Sequence, residues 1–118
     1  MGGSIFVLLV DDDAAFADAA ARSFESVGMR AVVALGPSGA LDVFDDAIDV
    51  VVTDIKLPAG EPYGFALTHM IRNKRPGAAM ILMTAHPDLF QNEIGRPGGM
   101  LPLEIAELCR SIRALLTQ

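Results

Sequence analysis

Strand-like and helix-like segments alternate along the chain, which predicts an α/β fold of βαβ units on a parallel sheet. Two observations carry this expectation. Short apolar runs rich in branched residues, Ile5–Val10, Val50–Thr53 and Met80–Met83, read as strands buried on both faces. Between them lie stretches with apolar residues at helical spacing, bounded by Gly and Pro.

Ile5–Val10 is the first strand, and Asp13 is placed to cap the helix after it. That helix runs to about Val27, with Phe16, Ala20, Phe24 and Val27 on one face, and Gly28 stops it. Arg30–Leu35 reads as the second strand. Gly36, Pro37 and Ser38 break it and start a helix carrying Ala40, Leu41, Phe44 and Ile48. Val50–Thr53 is the third strand, followed by a loop rich in Pro and Gly from Leu57 to Gly64. A helix from about Phe65 to Lys74 presents Leu67, Met70 and Ile71, and Pro76-Gly77 ends it. Met80–Met83 is the fourth strand. Asp88–Ile94 suits a short helix, and the Gly/Pro cluster at 95–99 leaves only Gly99–Leu101 for a weak fifth strand. Pro102 fits the first turn of a last helix. Its stripe is Ile105, Leu108, Cys109, Ile112, Leu115 and Leu116.

With 118 residues and no linker or repeat, the chain reads as one domain over 1–118, long enough to bury a core without staples. Its net charge of −6 and only two lysines, Lys56 and Lys74, argue against DNA or RNA as a direct partner. A single cysteine, Cys109, excludes an internal disulfide and suggests a cytoplasmic setting. No apolar segment approaches the length of a membrane span.

Right-handed crossovers bring the C-terminal ends of all parallel strands to one edge, where open α/β sheets bind ligands. Asp11, Asp12 and Asp13 follow the first strand, Asp54 the third, and Thr84 the fourth. If the first and third strands are neighbours, Asp11, Asp12 and Asp54 converge. Carboxylates packed so closely repel unless a cation neutralises them, and all-oxygen donors favour Mg²⁺, Mn²⁺ or Ca²⁺ over Zn²⁺. Mg²⁺ takes few carboxylates and accepts phosphate oxygens, which leaves room for a phosphoryl group.

The segments LLVDDD at 8–13, VVVTDIKLP at 50–58 and MILMTA at 80–85 resemble the receiver domain of bacterial response regulators, in order and over nearly the whole chain. The resemblance implies a doubly wound five-stranded flavodoxin-like sheet in the order 2-1-3-4-5. It also implies roles. Asp54 would accept a phosphoryl group from a histidine kinase or phosphotransfer protein. Asp11 and Asp12 would bind Mg²⁺ together with Asp54 and the backbone carbonyl of Lys56, and Thr84 would hydrogen-bond the phosphoryl group. The chain would then be a signalling module and not an enzyme. With no DNA-binding or enzymatic segment after it, it would act through protein contacts or be part of a longer chain.

The chain departs from the family on the output side. The family's lysine before the proline that closes the fifth strand is here Leu101, before Pro102, and no lysine follows Lys74. The usual aromatic residue of that strand falls within Pro97–Gly99 and is absent. The stretch from Thr84 to Leu101 is shorter than usual, so the helix between the fourth and fifth strands is expected to be reduced or lost. The loop from Pro58 to Gly64 is longer than usual.

Plainer readings stand beside these. Asp12 and Asp13 can serve as helix caps, Thr84 as a locally satisfied hydroxyl, and Lys56 and His86 as loop residues. Arg96 has nothing to place it at the phosphate, His69 suits a helix surface, and Cys109 suits the core. Two other functions remain open: a pseudo-receiver that binds partners without phosphorylation, and an aspartate-nucleophile phosphohydrolase. The hydrolase is disfavoured, because such enzymes place nucleophile and acid two residues apart after the first strand. They also need a lysine and a cap domain not found here.

Overall fold

The computed structural model describes residues 4–54, 63–83, 99–100 and 105–117, with the backbone alone at 54, 63–65, 83, 99–100, 105–108 and 111. The elements are β1 (Phe6–Val10), α1 (Ala14–Ser26), β2 (Arg30–Ala34), α2 (Pro37–Val43), β3 (Val50–Asp54), α3 (Tyr63–Lys74), β4 (Ala79–Met83), β5 (Gly99–Met100) and α4 (Ile105–Leu116). The strands form one sheet in the order β2-β1-β3-β4-β5, every pair parallel. This is the expected doubly wound order. β5 is two residues long, as weak as the glycines around it suggest. The segment expected to hold a reduced helix before β5 lies outside the described residues.

The side-chain period of two on β1 divides the core. Val7 and Leu9 pack with Val50, Val52 and Ile81 against Ala17, Ala20 and Phe24 of α1 and Cys109 and Ile112 of α4. Leu8 and Val10 face the other way, with Val51 and Met80, onto Ala40, Phe44 and Ile48 and onto Leu67 and Ile71 of α3. Val7 to Val10 and Val50 to Val52 are fully buried, which is why their segments read as unbroken apolar runs.

Helix α1 begins and ends where its sequence says. Asp13 is the N-cap, its Oδ1 accepting the Phe16 N–H at 3.1 Å. At the other end Gly28 takes φ +89°, the Gly28 N–H donates to Glu25 O, and the Met29 N–H donates to Phe24 O. This is a Schellman ending, with buried Met29 as its apolar seal. Val27 was expected on the apolar face but is exposed, because it lies past the last helical residue where the chain turns.

Helix α2 is shorter than its apolar spacing suggests. Phe44 takes extended backbone at ψ 127°, and the Asp45 carboxylate accepts the Ala47 N–H at 2.8 Å in an Asx turn. Phe44 and Ile48 are buried all the same, as turn residues and not helical ones. On α3, Leu67 and Ile71 are buried, but Met70 is exposed, being off the inward stripe. On α4, Cys109 and Ile112 are buried and Leu115 and Leu116 half-buried.

Two arginines tie distant segments. Arg75 Nη2 donates to Ile48 O at 2.7 Å and Nη1 to Asp46 O at 3.4 Å, with the guanidinium 5.1 Å from the Phe44 ring centre. Arg113 of α4 donates to Val27 O at 2.9 Å, a cation at the carbonyl end of α1.

Candidate functional site

The edge where β1 and β3 end is assembled by the strand register. Val10 pairs with Thr53, so the next step brings the backbones of Asp11 and Asp54 level on neighbouring strands, about 4.8 Å apart. On the other side of β1, the Asp11 N–H donates to Ala34 O at 3.1 Å, continuing the ladder one residue past β1. Asp54 pairs in turn with Met83, the last residue of β4. The ends of β1 and β3 are therefore neighbours in the backbone.

The three consecutive aspartates have different surroundings. Asp11 is only 7% exposed, a charged residue at the lip of an apolar core. Its Oδ1 accepts the Asp13 N–H at 2.9 Å, which orients the carboxylate. Asp12 is exposed. Asp13 turns its own carboxylate onto the first turn of α1. The cap expected of Asp13 is thus observed, while the hold of its backbone N–H on Asp11 was not anticipated. The Asp-x-Asp spacing, which suits an Asx turn, was its available signal.

The donor set suits a hard divalent cation such as Mg²⁺: Asp11 and Asp12 are carboxylates at the ends of rigid elements, with no nitrogen or sulfur beside them in sequence. Among the described residues, no three His, Cys, Asp or Glu side chains gather as a metal site. The expected set also draws on the Asp54 side chain and the Lys56 carbonyl, which lie outside what is described. Thr84, His86, Arg96 and Leu101 lie outside the described residues as well. His69 is exposed on α3 and Cys109 is buried, as the plainer readings of both had it. No helix among the described residues is long and apolar enough to cross a membrane.

Known proteins share this architecture. The family model described as response regulator receiver domain matches residues 7–98. A probable transcriptional regulatory protein, TcrX of Mycobacterium tuberculosis, is 29% identical over 98% of this chain and 51% of its own length. A protein-glutamate methylesterase/protein-glutamine glutaminase of Anaeromyxobacter dehalogenans is 29% identical over 95% of this chain and 36% of its own. The chain thus spans about half or less of these curated relatives. Among solved structures, a receiver domain protein from Clostridium thermocellum superposes with a TM-score of 0.80 at 22% identity, covering 96% of this chain and 94% of that one. The non-phosphorylated HemR receiver domain from Leptospira biflexa gives 0.78 at 25% identity, covering 98% and 96%.

Proposed function

The chain belongs to the response regulator receiver domain family, and from that membership we propose that it is a phosphorylation-dependent signalling module whose acceptor is Asp54. The observation that carries this reading is the register that brings Asp54 level with the buried, oriented Asp11 at the carboxyl edge of the sheet. A carboxylate oxygen of Asp54 forms the new P–O bond as the P–N bond of a phosphohistidine breaks. The imidazole leaves with the electron pair and takes up a proton. Asp11, Asp12, Asp54 and the Lys56 carbonyl are the groups that would hold Mg²⁺. The cation, when bound, shields the carboxylates and stabilises charge on the equatorial phosphoryl oxygens. Thr84, following β4, supplies a hydroxyl to the phosphoryl group. The donor is a histidine kinase or phosphotransfer protein, and the setting is cytoplasmic.

Leu101 favours a second reading. A lysine there would give a charge-assisted contact to the phosphoryl oxygens of about 1.5–3 kcal/mol, and leucine offers none. A ligand shifts a two-state equilibrium only by its differential affinity for the two states, so phosphorylation here has less to work with, and a pseudo-receiver dispenses with it altogether. Intact mass after acetyl phosphate and Mg²⁺ decides between the two. The signalling reading expects one added phosphoryl group, lost in Asp54→Asn and without Mg²⁺. No added mass in the native chain favours the pseudo-receiver, and addition that persists in Asp54→Asn moves the acceptor elsewhere.

A further inference from the structure

We infer that Asp13 is a positioning residue for the cation site, coupling the N-cap of α1 to the orientation of Asp11. The inference rests on the Mg²⁺ reading above and deepens it. Asp13 takes part in three hydrogen bonds: its carbonyl accepts the Ala17 N–H at 2.9 Å as the helix begins, and two others link the cap to Asp11. Its Oδ1 accepts the Phe16 N–H at 3.1 Å, which anchors it to the first turn of α1. Its N–H donates to Asp11 Oδ1 at 2.9 Å, which spends one acceptor site of the buried carboxylate and aims the rest. The backbone of Asp13, at φ −85° and ψ 97°, is the extended conformation of a capping residue. The cap and the hold on Asp11 therefore depend on the same local geometry.

Groups that hydrogen-bond a ligating carboxylate set its orientation, and their loss typically weakens metal binding by about 10- to 100-fold. Here the donor is a backbone N–H, so the lever is whatever keeps that N–H in place, and the capping carboxylate shares that work with the Asp13 carbonyl's bond to the Ala17 N–H. Asp13 itself is exposed and committed to Phe16, which leaves it a supporting part to Asp11 and Asp12, the residues that would hold the cation. Its negative charge alone, screened by water and salt, is worth about twofold in affinity. Capping and charge thus predict different orders among variants. Asparagine and serine keep a capping oxygen and lose the charge, whereas alanine loses both.

The test is Mg²⁺ titration of the native chain, Asp13→Asn, Asp13→Ser and Asp13→Ala, read from amide chemical shifts of Asp12 and Thr53. It is run at low temperature, with circular dichroism showing each variant folded. Asp13→Asn and Asp13→Ser should bind within about twofold of native, and Asp13→Ala about tenfold more weakly. Should Asp13→Ala fail to fold, Asp13→Gly takes its place, because glycine is tolerated at an N-cap without supplying an oxygen. Equal weakening by Asn and Ala would show a charge effect only and overturn the positioning role. So would an alanine variant that binds like native. Absence of Mg²⁺-dependent shifts in the native chain would instead remove the cation site, and the inference with it.

Discussion

Replacing Asp11 by asparagine should raise stability without Mg²⁺ and abolish the gain that Mg²⁺ brings. The substitution keeps an oxygen to accept the Asp13 N–H, removes the charge and exchanges the second carboxylate oxygen for an amide NH2. The backbones of Asp11 and Asp54 lie one strand spacing apart. Two carboxylates brought to about 4 Å repel by about 1 kcal/mol even at the dielectric constant of water. Water sets the floor, because Asp11 is nearly buried. For a chain of 118 residues, an unfolding entropy of about 2.1 cal/mol/K per residue converts 1 kcal/mol into about 4 °C. In EDTA, Asp11→Asn should therefore melt about 4 °C above native. With Mg²⁺ at tenfold its dissociation constant, the native chain gains about 1.4 kcal/mol, or about 6 °C, and the variant gains almost nothing. Thermal melts with EDTA and with Mg²⁺ measure both increments. A variant that melts below native in EDTA, or that gains as much from Mg²⁺ as native does, refutes the placement of Asp11 in a shared carboxylate site.

Two further predictions concern the scaffold that holds this edge. Arg75→Ala removes a charged hydrogen bond to Ile48 O, a longer one to Asp46 O and the stack on Phe44. It should cost about 2 kcal/mol in urea unfolding, with Arg75→Lys intermediate, and a loss below about 0.5 kcal/mol would show that the guanidinium is ornamental. Burial pushes the Cys109 thiol up from its ordinary pKa, partly opposed by the Arg113 guanidinium. The native core accepts the neutral thiol, so its contribution is complete below the ordinary thiol pKa and is lost as pH rises through the raised value. The urea midpoint should fall more between about pH 7 and about pH 10 in native protein than in Cys109→Ala, and parallel profiles would remove Cys109 as the source.

How much of this was legible in the sequence depends on whether the cause was local. The strands were legible because β1 and β3 are buried on both faces and can hold little but branched apolar residues. Asp13 and Gly28 marked both ends of α1 because each acts within one helical turn. Helical periodicity alone misled at Val27, Phe44, Ile48 and Met70. A helix stops where the backbone turns, and neither the Asp45 Asx turn nor the α1 ending appears in the apolar spacing. The site was half legible in the same sense. That acids follow β1 and β3 is plain from the residues, but their convergence requires β1 to lie beside β3, and strand order is a global property. It came from resemblance to a family. The ties made by Arg75 and Arg113 have no local signature: their partners lie 27 and 86 residues away. Asp13 falls between these cases. Its cap is local and was expected, but the consequence for Asp11 appears only when both hydrogen bonds are seen on one residue. The loop that begins a helix and the loop that aims a buried carboxylate are here the same three residues. A substitution chosen to tune the helix is therefore expected to retune the Asp11 carboxylate as well.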